Sequence, residues 1–197
     1  MVVVNFRGTS GSGKTHAARR VMDLFAPGEE VWREVAGKNR LIGHLLPAAH
    51  MVDELRPMTV IGRYNGPKCG GCDSMSWPGS ADDICHYVRG FWAAGHHILL
   101  EGLMVSSWGT GRLKDLSDKV GGDLYVLQLT TPLEECLQAI RDRRAERGND
   151  KPLNPKNTES KFRSAMSGAR NLERLGVHVE YVDREQAFQR ARELLGV

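Results

Sequence analysis

Residues 8–15, Gly-Thr-Ser-Gly-Ser-Gly-Lys-Thr, put three glycines, a lysine and a terminal hydroxyl in the order GxxxxGK[ST]. That pattern is a phosphate-binding loop when a strand precedes it and a helix follows. Gly8, Gly11 and Gly13 let the backbone wrap an anion, so that successive N–H groups point at it. A helix N-terminus behind the loop adds partial positive charge. Lys14 can then reach the β- and γ-phosphates of ATP, and Thr15 can ligate Mg²⁺. Ser10, Ser12 and His16 complete the expected ATP-binding stretch.

Two carboxylates are candidates to work beside this loop. Glu101 ends the apolar run His97–Leu100 and precedes Gly102, where a Mg²⁺-associated acid sits in phosphoryl-transfer sites. The alternative is a strand-end charge facing water. Asp73 closes the loop Tyr64-Asn-Gly-Pro-Lys-Cys-Gly-Gly-Cys-Asp73, which follows the strand at 58–63 and so lies at a carboxyl end of a sheet. It can accept the proton of an attacking hydroxyl, or simply cap a turn. Tyr64, Lys68, Cys69 and Trp77 line the same stretch and are candidates for holding the acceptor. Cys69 and Cys72 form a lone CxxC. A zinc site needs two more ligands, and the near ones, Cys85 and His86, point about 100° apart on a helix, so metal, redox and structural roles all stand.

A third region is cationic. Residues 141–163 hold eight Lys and Arg against four acids, around Gly148, Pro152 and Pro155. Arginines here suit a lid over the phosphates, with Arg141 on ATP and Arg144 on the transferred group, because the guanidinium fork binds phosphoryl oxygens bidentately. The alternative is a solvated helix end favoured by the macrodipole.

The elements that must position these groups alternate. Strands are expected at 2–6, 58–63, 97–100, 124–129 and 177–182. Helices are expected at 14–25, 80–94, 112–119, from 133, at 158–175 and at 184–195, with a short one at 48–55. Val31–Val35 and Arg40–Leu46 flank Gly-Lys-Asn as a hairpin insertion. Ser80 with Asp83, and Thr131 with Glu134, read as capping boxes, and Asp183 suits a helix cap. Trp92 reads as core, His96 and His97 as structural, and Trp77 and Trp108 lie in loops after strands, where stacking on a base is the less favoured of their roles. The fold class that follows is α/β: a P-loop NTPase, a nucleotide-kinase-like three-layer sandwich with a parallel five-stranded sheet and a basic lid, all in one domain over 1–197.

Composition bounds the rest. The chain has 197 residues, 41% hydrophobic and 26% charged, with net charge +3 and pI near 8.7. No apolar run approaches the ~20 residues of a membrane span. The four cysteines do not look like a disulfide framework, and a cytoplasmic location is expected. The charge is compatible with a polyanionic partner without requiring one.

GPKCGGCD (66–73), Glu101-Gly102, TPLEEC (131–136) and RGNDKPLNPKNT with SKF (147–162) together resemble the 5-hydroxymethyluracil DNA kinases of thymine-hypermodifying phages, over roughly residues 1–182. The resemblance implies transfer of phosphate from ATP to the 5-hydroxymethyl group of a thymine analogue already in DNA, making a leaving group for later modification. Two other readings stand beside it: a kinase on a free nucleoside or nucleotide, and an NTP-driven switch or motor. The chain's shortness, its lack of a strand-end Walker B aspartate and its arginine-rich segment favour a kinase.

Overall fold

The computed structural model describes residues 1–48, 56–65, 70–75, 77–102, 109–149 and 151–197. The central strand β1 (Val3–Arg7) is buried along its whole length. It is flanked by β5 (His97–Glu101) and β6 (Leu124–Leu129), both parallel to it. Outside these lie β4 (Met58–Ile61) and β7 (His178–Val182), also parallel. Near-continuous apolar runs form the inner strands because both faces of a parallel sheet are covered.

The sheet has seven strands, in the order β2-β3-β4-β5-β1-β6-β7, so the expectation of five parallel strands describes only its centre. The two additional strands are β2 (Glu29–Val35) and β3 (Lys38–Leu46), the hairpin insertion, which joins antiparallel to β4. Its tight turn is Ala36-Gly37, with φ of 51° and 70°. Two positive φ values in succession make a turn whose twist matches that of the strands. The hairpin carries the sheet outward by two strands on the β4 side.

Helices cover both faces. α1 (Lys14–Met22) and α6 (Arg184–Leu195) bury Ala17, Ala18, Val21, Ala187 and Phe188 against Val4, Phe6, Leu99 and Leu127. α2 (Ser80–Ala93), α3 (Thr110–Lys119) and α5 (Pro155–Arg174) bury Ile84, Val88, Leu113, Leu116 and Leu172 against Val3, Ile98, Leu100 and Val126. α4 (Leu133–Glu146) buries Cys136, Leu137 and Ile140. Burying a Leu or Ile side chain contributes about 1.5–3 kcal/mol, so these two layers hold the carboxyl ends of the strands in fixed relation. None of the described helices is long and apolar enough to cross a membrane.

Two expected caps differ. Ser80 and Asp83 make no capping box: Gly79 is the N-cap, and Asp83 accepts from Trp77 Nε1 at 2.7 Å. Thr131 and Glu134 make none either. Pro132 is the N-cap, and the Thr131 hydroxyl donates to Ser12 O at 2.8 Å. At Thr131 a tertiary partner outcompetes the local one, and at Asp83 the indole six residues earlier does. Asp183 does cap α6, in a full capping box with Gln186. His96 and His97 hold the amino end of the sheet. Thr59 Oγ1 lies 2.8 Å from His96 Nδ1, and His97 Nδ1 accepts from the Val2 N–H at 3.2 Å. Residues 49–55 of the helix expected at 48–55, and Trp108, lie outside the described residues.

Candidate active site

The site forms where β1, β4 and β5 end. β1 runs straight into the glycine loop, and α1 starts at Lys14 with Gly13 as its N-cap. The loop is fixed from outside. Thr131 Oγ1 and Arg184 Nε, the latter at 3.2 Å, both donate to Ser12 O, and Arg184 Nη2 donates to Gly11 O at 3.3 Å. Three side-chain donors thus hold the outward carbonyls. Ser12 is buried behind the loop, at 1% exposure.

Lys14 is 8% exposed, and its Nζ donates to Gly8 O at 2.9 Å and Thr9 O at 3.0 Å. Burial lowers its pKa, and the charges of Asp73 and Glu101 oppose that shift. Glu101 is 3% exposed. It accepts from Thr15 Oγ1 at 2.6 Å on one oxygen and from Tyr64 OH at 3.3 Å on the other. Burial raises its pKa, and the Thr15 hydrogen bond and the Lys14 charge pull it back. Glu101 is therefore a carboxylate built into the phosphate loop, and the water-facing alternative does not describe it.

Asp73 reaches the site from the turn at Cys72–Ser74. Two glycines make the approach possible. A β-carbon on Gly71 would fall 2.3 Å from Glu101 Cγ, and one on Gly102 would fall 2.5 Å from the Asp73 carboxylate. Both contacts are closer than any side chain tolerates, so the 71–73 turn and the 101–102 strand end interlock only because both positions are glycine. The result is two carboxylates and a lysine converging from segments far apart in the sequence.

Two cavities meet at Lys14 and Asp73. One, of about 310 Å³, is lined by Ser10, Gly11, Gly13, Lys14, Thr15, His16, Glu101 and Arg143, with Asp73 at its edge. The other, of about 350 Å³, is lined by Gly8, Thr9, Ser10, Asp73, Lys161 and Ser164. The first has the donors, the hydroxyl and the buried carboxylate that suit a phosphate chain. The second opens toward α5.

The arginines sort differently from expectation. Arg144 Nη1 donates to Lys151 O at 2.8 Å, within its own segment, and Arg141 pairs with Gln138 at 3.3 Å. Arg143 is the one that lines the phosphate-side cavity, close enough to Lys14 to affect its charge. Successive residues on a helix point about 100° apart, so only some of the three can face the loop. Trp77 is 8% exposed, packs in the core and has Arg40 5.1 Å from its ring centroid, so its face is occupied by an arginine. Tyr64 is buried and serves Glu101. Lys68 and Cys69 lie outside the described residues. Cys72 is buried, its thiol donates to Ile61 O, and burial pushes its pKa well up. Among the described residues no three His, Cys, Asp or Glu side chains cluster as a metal cage.

Sequence reasoning passed over Arg7 and Arg184, and named Lys161 only as one of the cations of segment 141–163. Arg7 is fully buried at the end of β1, its pKa lowered to about 10 by burial against the charge of Asp73. Its signal was available: a charged residue continuing an apolar strand up to the glycine loop. Beside it on the same face, the Asn5 amide has no hydrogen-bond partner among the described residues.

Fold and site together define the class: an α/β protein whose central strand leads into a GxxxxGKT phosphate-loop sequence set beside two acidic side chains. No family model matches the chain. It is 37% identical over 194 residues to the "5-hmdU DNA kinase" of Pseudomonas phage PaMx11, covering 98% of this chain and 96% of that one. The chain belongs to the family of that kinase. Among solved structures it is similar to a tunicamycin resistance protein of Deinococcus radiodurans, with TM-score 0.52 and 13% identity over 99% of this chain and 94% of the other, a likeness of fold.

Proposed function

We propose that this protein transfers the γ-phosphate of ATP to the 5-hydroxymethyl group of 5-hydroxymethyluracil in DNA. The observation that carries the reading is the junction of the two cavities at Lys14 and Asp73, taken with membership in the family of a DNA kinase. The phosphate-side cavity takes the ATP phosphates along the loop. The second cavity takes the acceptor. The whole chain acts as one P-loop kinase domain, with segment 141–163 as its lid.

The roles follow from chemistry. Asp73 accepts the proton of the hydroxymethyl group as its oxygen bonds to the γ-phosphorus and the bond to the β–γ bridging oxygen breaks, releasing ADP. Lys14 and Arg143 face the charge that develops on the transferred phosphoryl. Lys161 stands on the acceptor side. Thr15 and Glu101 offer two hard oxygens within 2.6 Å of each other, which fits Mg²⁺, an ion that takes one or two protein oxygens and completes its octahedron with phosphate and water. Bound there, Mg²⁺ would neutralise phosphate charge. Asp73 and not Glu101 is the base, because Glu101 is engaged by Thr15 and Tyr64 while Asp73 is exposed at the meeting point of both cavities.

The test follows label from [γ-³²P]ATP. DNA containing 5-hydroxymethyluracil should accept it, unmodified thymine DNA should not, and free 5-hydroxymethyl-deoxyuridine and its monophosphate should be poor acceptors. Apparent DNA affinity should fall steeply with salt, since each phosphate neutralised by Lys or Arg releases counterions. Label on free nucleotides and none on modified DNA would make the protein a nucleotide kinase instead.

A further inference from the structure

A third cavity, of about 270 Å³, lies between the β2–β3 hairpin and the segment after β4. The phosphate machinery does not use it. Its lining includes Ser74, the residue next to Asp73, which places it beside the acceptor side of the active site. Trp32 forms one wall, with 44% of its surface exposed, the most exposed indole among the described residues. An exposed tryptophan is ordinarily free to turn, but this one is held. Its Nε1 donates to Glu30 at 2.9 Å, and Glu30 also accepts from the Asn65 amide across the cleft. The indole N–H is thereby used up while the ring remains available.

The cleft is also cationic. Arg40 stands over the Trp77 ring, and Arg63 is exposed at the cleft. Asn39 and Asn65 add amides to its lining. An aromatic ring and two guanidinium groups lining one cleft suit one nucleotide of a strand, base on the ring and phosphate on the cations. The volume is below the roughly 300–1,000 Å³ of cavities that enclose whole small-molecule ligands. It suits one unit of a longer chain better than an entire free nucleotide.

We propose that this cleft binds the DNA strand at a nucleotide flanking the one being phosphorylated, with Trp32 stacking on its base and Arg40 and Arg63 taking its phosphate. The inference rests on the DNA-kinase reading above and deepens it. It gives the hairpin a purpose: two strands added to the sheet edge extend the acceptor side beyond the reach of a single nucleotide. It also supplies a reason for a polymer to be preferred over a monomer.

The test uses the full-length protein, 5-hydroxymethyluracil oligonucleotides and three readouts. Trp32→Ala should raise KM for DNA about tenfold, the scale of one lost stacking contact, with a smaller change in kcat and unchanged ATP affinity. Arg63→Gln should weaken DNA binding and reduce the slope of log affinity against log salt by about one, as for one phosphate contact. Binding of the modified oligonucleotide should quench tryptophan fluorescence in the wild type, and less so in Trp32→Ala. Wild-type KM, salt slope and quenching in both variants would overturn the cleft assignment while leaving the kinase intact. Failure of the wild type to label modified DNA would instead overturn the reading on which it rests, and DNA-binding measurements alone would then still judge the cleft.

Discussion

The phosphate loop and the basic segment 141–163 both gather groups suited to anions, yet they are held in opposite ways. The loop is gripped from every side: Lys14 on two inner carbonyls, Thr131 and Arg184 on two outer ones, Glu101 on Thr15. The basic segment is mostly exposed; Arg144 bonds to Lys151 O within it and Arg141 to Gln138 one turn back on α4, while Arg143 lines the phosphate-side cavity. Charge alone does not distinguish the two. What differs is whether the geometry is already assembled, and preorganised donors are what a developing charge rewards, since they need no rearrangement at the moment of reaction. The loop end is therefore expected to set the rate of the chemical step. The basic segment is expected to contribute what remains useful without a fixed geometry, which is long-range attraction and a few contacts made on closure.

The largest effect should come at the assembled end. Asp73→Asn should lower turnover by roughly 10²–10⁴ with little change in ATP affinity, because it removes the proton acceptor and keeps the shape. Glu101→Gln, measured alongside, should instead raise the Mg²⁺ concentration needed for half-maximal rate. If the Mg²⁺ dependence follows Asp73 and spares Glu101, the two roles are reversed. Next, Lys14→Ala should cost about 3 kcal/mol of activation free energy, or ~10²-fold in rate. Circular dichroism should show the fold retained. Near wild-type turnover in that variant would remove the loop from the mechanism.

The comparison sharpens at two adjacent arginines. Arg143→Ala should lower kcat by about tenfold, as loss of one charged contact made on the phosphates, whereas Arg144→Ala should change it by less, its guanidinium being engaged with Lys151 O. Single-turnover rates at saturating ATP check this, and the reverse order would show that the segment rearranges before the chemical step. The smallest effect lies at the far end of β5. His97 is neutral in the fold because burial lowers its pKa to about 4, with the N-terminus and Arg56 adding to that. An unfolded histidine titrates near 6.5. Between those values the unfolded state binds the proton first, so stability rises with pH through this window and falls as pH drops. Melting temperature should decline from about pH 6.5 toward 4, and His97→Gln should flatten that part of the profile without altering the rate at pH 7.5.

Much of the layout was legible because its causes are local. β6 runs over the expected 124–129, and α1, α2, α5 and α6 start or end within a few residues of where apolar spacing puts them. Asp183 caps α6 as its short-range chemistry suggests. The misreadings share a cause of the opposite kind. Thr131 had a good local partner and took a distant one, Ser12 O, and Asp83 took the Trp77 indole from just before the helix in place of the cap. The 29–46 hairpin was visible as two extended pieces, but whether it would stand apart or add to the sheet depended on its pairing with β4.

The amino-acid sequence by itself determined the phosphate loop, the strand and helix around it, the acidic strand end and the family resemblance, since these depend on residue types at fixed short spacings. Which groups meet was decided by the tertiary structure. Glu101 comes to Thr15 across 86 positions of chain, through the pairing of β1 with β5. Asp73 comes to the same point because Gly71 and Gly102 leave room for it. Arg143 rather than Arg144 faces the loop because packing sets the rotation of α4, and Trp32 rather than Trp77 presents its ring because core burial claims one indole and the hairpin lifts the other to the surface. A contact between distant residues is fixed by the sum of many packing interactions, and no short stretch of sequence carries that sum.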